Sequence, residues 1–398
     1  MAAPVIRDTS VFGVEAESTE GTYVAPSAAT SYFQPEEDGF EFTPTRELLE
    51  RNVINQSVGA STPKPGMKGV NGSVTTEFRA SGTEGADVDF GLLLKGALGA
   101  TRSISTNNTT KSSGNTGSVL QIEDADIAEF TVGDIVIIKE SAGHHPCFVT
   151  AKTSGAGTAT ITISPAKASG SFSNSVVISK STMYYTANTG HPALSLSYYW
   201  GNQIRQAAVG AKIKSLAIES FQTGQLARLA FGWEGLTYTE IDGAAPHTPT
   251  YDTGTPPVIL SASIFKDGTE FHINTFGLSL ENTIGYQTRT SSENGKVASR
   301  VVERKITGTL NPYMDDTTFD WFTLFNAGTE FSLFIRAYIP SSTTGEITMG
   351  SLVGIYLPKC TVTEYKKGDL EGLITDEVAF QAGRGAVGDT EEMYLGLV

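Results

Sequence analysis

The sequence carries the same short unit twice, and a chain built that way is expected to fold as two similar bodies. From Gly210 it reads Gly-Ala-Lys-Ile-Lys-Ser-Leu-Ala-Ile-Glu, then a polar turn, then Gln-Leu-Ala-Arg-Leu-Ala-Phe-Gly-Trp-Glu-Gly. From Tyr356 it reads Tyr-Leu-Pro-Lys-Cys-Thr-Val-Thr-Glu-Tyr, a Lys-Lys-Gly-Asp turn, then Leu-Ile-Thr-Asp-Glu-Val-Ala-Phe-Gln-Ala-Gly-Arg-Gly. Both are strand, tight turn, strand and glycine stop.

The surrounding elements repeat in the same order. Val70 to Ala80 alternates as a half-buried strand. A helix with Phe90, Leu93, Leu94, Ala97 and Leu98 on one face follows, with Asp87 or Asp89 as cap and Gly99 as stop. In the second half Phe271–Leu280 is a strand, and Val302, Ile306 and Leu310 lie on one face of the next. A second helix carries Phe319, Phe322 and Phe325, with Asp316 or Thr317 as cap and Gly328 as stop. The apolar strand Glu330–Ile339 matches Leu194–Trp200. Ahead of each helix lies a polar, turn-rich segment: 43–69, read as a long exposed hairpin or loop, and 281–300, read as another long polar loop. Residues 1–30, rich in small and polar residues, read as an arm.

Residues 104–182 interrupt only the first unit. Their short β-rich runs, among them Asp134-Ile-Val-Ile-Ile-Lys, predict a small barrel-like or sandwich domain that folds by itself and sits outward. The organisation is therefore an arm (1–30), a first unit (31–103 and 183–242), the insert (104–182), a Pro/Gly linker (243–257) and a second unit (258–398). The fold class is mainly β, two similar sandwiches each flanked by one helix. The chain's 398 residues fit two or three such domains.

The formal charge of −15, from 28 basic and 43 acidic residues, argues against gripping nucleic acid through its phosphates. The charge alone reads first as a soluble acidic surface that resists aggregation, and it is also compatible with a surface that DNA slides past. No 18-residue apolar run spans a membrane, and the N-terminus lacks a secretory pattern. Cys147 and Cys360 fall in different domains, so a disulfide is not expected. Chemistry is poorly represented. His144, His145 and Cys147 form the one His/Cys cluster, with no second cluster to complete a metal site. Glu123, Asp124 and Asp126 read as a solvated turn rather than a calcium loop. Tyr198, Tyr199 and Trp200 are candidates for stacking a sugar or base, whereas Trp321 reads as core. Neither a phosphate-binding glycine loop nor a nucleophile elbow is present, so neither an enzyme nor a cofactor is expected.

Three stretches resemble the tail tube proteins of long-tailed bacteriophages in their two-domain form. They are the segment from Gly13 (Gly-Val-Glu-Ala-Glu-Ser-Thr-Glu-Gly-Thr-Tyr-Val-Ala-Pro), the strand–helix unit ending Leu-Leu-Leu-Lys-Gly-Ala-Leu-Gly, and the C-terminal run from Gly372 closing on Tyr394-Leu-Gly-Leu. The resemblance implies a virion protein, made in the host bacterial cytoplasm, whose sandwiches join edge to edge. Homotrimeric rings of pseudo-sixfold symmetry would stack into a tube for genome delivery. It implies as partners further copies of the chain, the tape measure, the tail tip or baseplate, the terminator and, transiently, DNA. Glu36, Glu37, Asp38, Glu41 and Glu281 are then candidate lumen acids. Arg46, Glu50, Arg51, Lys64, Lys68, Arg289, Glu293, Lys296 and Arg300 are candidate ring-stacking residues on the two long loops. The alternatives are another phage structural β-protein (a decoration or tail completion ring), a carbohydrate-binding adhesive module, and a hydrolase.

Overall fold

The structure is a computed structural model that describes residues 6–51, 61–141, 143–155, 157, 159–260, 262–292, 294–314, 320–341, 346–385 and 391–398. The first unit begins with β1 (Val11–Ala16), β2 (Tyr32–Phe33), β3 (Phe40–Leu49), β4 (Lys64–Glu77) and α1 (Gly91–Leu98). Next comes β5 (Gly99–Ile104). The insert then supplies β6 (Asn108–Thr109), β7 (Val119–Ile122), β8 (Ile135–Glu140), β9 (Gly143–Thr153), β10 (Ala159–Ser164) and β11 (Val177–Ile178), and β12 (Ser181–Thr186) follows. The first unit closes with β13 (Leu194–Trp200), β14 (Ile204–Gln222), β15 (Arg228–Gly235) and β16 (Thr237–Asp242). The second unit is β17 (Ala262–Lys266), β18 (Thr269–Phe271), β19 (Ile273–Thr288), β20 (Lys296–Pro312), α2 (Trp321–Ala327), β21 (Phe331–Ala337), β22 (Val353–Leu370), β23 (Leu373–Gly383) and β24 (Tyr394–Leu397).

The strand pairings fall into two like sets. In the first unit β3, β4, β15 and β14 form one layer, and β2, β1, β13, β14 and β16 form the other. In the second unit β19, β20, β23 and β22 form one layer, and β18, β17, β21, β22 and β24 the other. The long strands β14 and β22 each cross from one layer to the other. Each carries a bulge at the matching place, between Ile213 and Ser215 and between Val362 and Glu364. Beside each bulge an aromatic ring lies over a glycine. Trp233 faces Gly72 and Phe380 faces Gly308, and a Cβ on either glycine would come within 2.1 and 2.3 Å of the ring. Those paired landmarks match Gly72 to Gly308, Trp233 to Phe380 and Ile213 to Val362.

The two units join where β14 pairs antiparallel with β19, from Ser215 opposite Glu281 to Gln222 opposite Thr275. The inner layers thus become one continuous eight-stranded sheet. One row of directly opposed residues crosses it as Phe40, Val74, Phe231, Leu216, Leu280, Ile306, Ala382 and Cys360. All but Phe40 are buried, so this face is the core face. The buried side chain of Asn282 on β19 ties the seam by donating to the carbonyls of Ala97 (2.9 Å) and Ile213 (3.1 Å).

Several expectations require correction. Residues 11–16 are a buried, paired strand rather than part of an arm, because Val11, Phe12 and Val14 fill the sandwich opposite β13. Most of 281–300 is strand, not loop, since β19 and β20 pair as far as Thr288 opposite Lys296. At α1 neither expected carboxylate caps. Asp89 turns inward to an ion pair with Arg79 (2.8 Å), and Asp87 accepts from Tyr184 and the Val88 amide. At α2 the cap is Asp320, which accepts from the Thr323 amide (3.0 Å). The other proposed caps, Asp316 and Thr317, lie outside the described residues, as does Phe319. The apolar face of α2 is carried by Trp321, while Phe322 and Phe325 are exposed. Gly99 and Gly328 stop their helices at positive φ, as expected.

The insert has its own six-stranded sheet, ordered β6-β11-β8-β9-β10-β7, around its own core. Its stalk behaves differently. β5 and β12 pair with each other, and β12 pairs with β24, so the stalk extends the outer layer of the second unit. Phe148 of the insert stacks on Tyr356 (3.9 Å between centroids) and meets Phe334 (5.0 Å). The linker is also held. Tyr251 packs beside Tyr32, and the Asp89 amide donates to Asp252 (2.7 Å).

Candidate functional site

The other face of the eight-stranded sheet is polar. Alternation puts Glu41, Ser73, Ser215, Glu281 and Lys305 on it in one continuous row, two residues removed in phase from the next such row of Thr75, Ala230, Ala217, Ser279 and Thr307. Small residues dominate, so the face is smooth. Among its charges, Lys214 pairs with Glu234 (2.6 Å), Lys366 with Glu377 (2.7 Å) and Arg228 with Glu36 (2.6 Å). Burial works to raise the Glu234 carboxyl, but hydrogen bonds from Lys214 and Tyr286 outweigh it and hold the group below its usual range. Glu41, Glu219, Glu281, Glu303 and Glu364 are exposed acids on the same face.

Two sequence-chosen acids, Glu41 and Glu281, therefore share one row of this surface. The others do not. Glu36, Glu37 and Asp38 sit in the turn before β3, where Glu36 is tied to Arg228 and Asp38 to Arg7 (2.9 Å).

The two long hairpins, β3–β4 and β19–β20, occupy matching positions and differ in what covers them. The second lies along the first unit. Tyr286 donates to Glu234 (3.0 Å), Asn294 to Thr237 (3.0 Å) and Ser299 to Glu20. The distal part of the first hairpin is exposed, with Leu48 and Leu49 at its surface. Arg46 stands opposite Lys68 on this hairpin and Lys64 opposite Leu49, with Glu50 and Arg51 just beyond. On the second hairpin Lys296 lies over the Tyr286 ring (3.9 Å), Arg289 begins the turn and Arg300 is exposed opposite Gly285. Glu293 lies outside the described residues.

Sequence reasoning missed the free strand edges. β3 pairs only with β4, and β22 beyond Cys360 pairs only with β23, so each presents an open edge among the described residues. By the unit-to-unit match β3 corresponds to β19 and β22 to β14, the two strands that pair at the internal seam. The duplication read from the β14–β15 and β22–β23 hairpins was the signal for this.

The remaining candidates are structural. Tyr198 and Tyr199 are buried, with Phe40 stacked on Tyr198 at 4.1 Å, so they do not form an open stacking platform. His144 and His145 bond backbone carbonyls of Ile347 (3.4 Å) and Pro165 (2.8 Å). Cys147 and Cys360 are free, buried thiols, and burial pushes both well above the usual thiol range. Among the described residues no three His, Cys, Asp or Glu side chains cluster as metal ligands.

A family model described as phage tail tube protein matches residues 8–382. No curated protein matches the chain.

Proposed function

The chain belongs to the phage tail tube protein family, a structural component of the virion tail, and from that premise we propose that three chains close into a ring by repeating the internal seam between chains. The observation that carries this reading is the pairing of β14 with β19, whose counterparts β22 and β3 are left open at opposite ends of the same sheet. Transferring the register sets Lys366 of one chain opposite Thr43 of the next and Glu364 opposite Thr45. These four side chains lie on the polar face, and between them Tyr365 meets Pro44 on the core face. Closure removes both edges, which would otherwise recruit chains without limit.

The stagger supports closure as well. The residue matched to Phe40 is Phe276, yet the row that starts at Phe40 reaches β19 at Leu280, four residues along. Six such steps make a shear of about 24 in a barrel of about 24 strands. With strand spacings of roughly 4.8 Å and rises of roughly 3.3 Å, the tilt is about 35°, within the range real barrels adopt. The bore inside the side chains is then roughly 35 Å, wide enough for duplex DNA.

In this ring the polar face lines the bore. Exposed acids such as Glu41 and Glu281 repel phosphate, and the short Ser, Thr and Ala side chains offer DNA nothing to grip. The second hairpin already lies along a neighbouring unit, so the first hairpin lies along the adjacent chain, with the turns near Arg51 and Arg289 left to meet the next ring. Ring-to-ring contact is heterologous and grows a filament. The tape measure would occupy the bore, and the terminator and the tail tip or baseplate would cap the two ends. Electron microscopy of the purified chain tests the proposal. Hollow filaments with three chains per axial repeat are expected. Single rings that never stack would favour a completion ring, and a lasting monomer would refute ring closure.

A further inference from the structure

The tripeptide Pro-Val-Ile occurs ahead of the first strand of each unit, as Pro4-Val5-Ile6 before β1 and Pro257-Val258-Ile259 before β17. In the second unit the job of this lead-in is visible. Val258 bridges Leu226 in the β14–β15 turn of the first unit. The Gly224 amide donates to the Ile259 carbonyl (3.0 Å), and the Ile259 amide donates to the Gln225 carbonyl (3.0 Å). Ile259 is 6% exposed as a result, whereas its counterpart Ile6 is 63% exposed.

The receiving turn also has a counterpart. The strands leading out of it match in register, although the β22–β23 turn is two residues shorter. Arg228 stands opposite Glu77 as Thr375 stands opposite Tyr313, and Phe78 donates to Ala227 (3.0 Å) as Met314 donates to Ile374 (3.1 Å). Leu226 therefore corresponds to Leu373, and Gln225 to Gly372. Leu373 and Ile374 are 60% and 58% exposed. Within the internal contact Leu226 and Val258 stay exposed and Ile259 is the covered residue, so Ile6 is the described counterpart whose exposure marks the second copy as unmade.

We infer that the segment ending at Ile6 of one chain docks on the β22–β23 turn of its neighbour in the ring, pairing backbone to backbone beside Leu373. This rests on the ring reading above and assigns the lead-in to the lateral contact rather than to stacking between rings. A short strand added past the end of β20 extends the sheet by one more rung, with side chains of alternate residues giving specificity. In the template the isoleucine is the buried member, so Ile6 is expected to be the anchor.

The experiment uses the full chain carrying Val5→Cys and Leu373→Cys together, the sequence counterparts of the bridged pair Val258 and Leu226. The native cysteines are buried and slow to react. After mild oxidation of assembled tubes and denaturation, covalent species that stop at three chains are expected, and neither single variant should give them. A covalent ladder running past three chains would assign the segment to the contact between rings and overturn the inference. So would tubes that form and do not cross-link. A Leu226→Cys, Val258→Cys chain provides the internal control, closing its loop without joining chains. Ile6→Asp should raise the concentration needed for assembly about tenfold or more, the equivalent of about 1.4 kcal/mol per contact. Unchanged assembly in that variant would also overturn it. A chain whose internal control closes but which never forms rings would refute the ring reading, and this inference would fall with it.

Discussion

The insert packs on the second unit through a shared apolar cluster, with Ile135 and Ile137 beside the stack of Phe148 on Tyr356, and Phe148→Ala tests how much that stack carries. Phe148 is almost fully buried, lies face to face with Tyr356 and also touches Phe334. Truncating a buried phenylalanine costs about 3–5 kcal/mol through lost transfer energy and the cavity left behind. Part of that, about 0.5–1.5 kcal/mol, is the loss of the ring pair itself. For a cooperative body of this size each kcal/mol lowers Tm by roughly 2–4 °C, so a fall of roughly 6–20 °C is expected. The location of the loss matters more than its size. Hydrogen exchange should become faster both in β9 and in β21–β22, on the far side of the contact. Ile161→Ala is the comparison, because Ile161 sits in the insert's own core and should loosen the insert alone. If Phe148→Ala speeds exchange only within the insert, the two bodies fold independently and the stack adds nothing to the second unit.

Three further outcomes follow from the geometry. Asn282→Ala should cost about 1–3 kcal/mol, because it leaves the carbonyls of Ala97 and Ile213 buried and unpaired at the seam. Chemical denaturation checks this, and a loss below about 0.5 kcal/mol would contradict the bonding. Arg79→Ala should cost about 3–5 kcal/mol near neutral pH, because Asp89 is left buried without its partner. Burial already holds the Asp89 carboxyl above its usual range in spite of Arg79. The folded state therefore takes up that proton at higher pH than the unfolded chain, and the penalty must shrink on acidification. Denaturation at about pH 8 and about pH 5 should show it, and a loss independent of pH would refute the account. Glu41→Lys with Glu281→Lys should leave tube assembly intact and slow genome release, with the delay diminishing as salt screens the new charges. Release at the parental rate would remove both residues from the bore.

The β-rich fold and its two like sets of strands were legible because they are written in strand pattern and punctuation. Alternating apolar residues in β14, β15, β22 and β23, and glycines at the ends of both helices, survive in both units with almost no shared chemistry. The misread segments have physical reasons. β19 and β20 past Asn282 carry polar residues on both faces, since one face is exposed and the other meets Glu20, Glu234 and Thr237 of the first unit. A strand paired in that setting shows no hydrophobic period. β1 was hidden for the opposite reason. Its six residues are too few, and are followed by too many small and polar ones, to stand out. The carboxylates before α1 resembled caps because a cap and a buried ion pair use the same residues, and only the position of Arg79, ten residues earlier, distinguishes them. Of the candidate acids, Glu41 and Glu281 fell on strands, where alternation assigns a face. Glu36, Glu37 and Asp38 fell in a turn, where it assigns none.

Fusing two units into one chain lets contacts that would be identical in a six-membered ring diverge. The internal seam is tied by a continuous chain, by the buried Asn282 and by the held linker at Asp252. The position in β3 that corresponds to Asn282 is Arg46, whose charge could not be buried as Asn282 is without a partner. In the proposed ring the contact between chains is then made with different side chains on the same backbone pairing. It also lacks the stalk strands β5 and β12, which lengthen the outer layer only beside β24. The consequence is a difference in strength. In the proposed ring the eight-stranded sheet is expected to form within each chain, and the seam between chains, made from the weaker set, on assembly. A folded monomer with an intact β14–β19 seam should therefore exist at concentrations too low for rings. Hydrogen exchange on such a monomer would find β14 and β19 protected while β3 and the distal half of β22 exchange freely, and protection at all four strands in a monomer would refute this order.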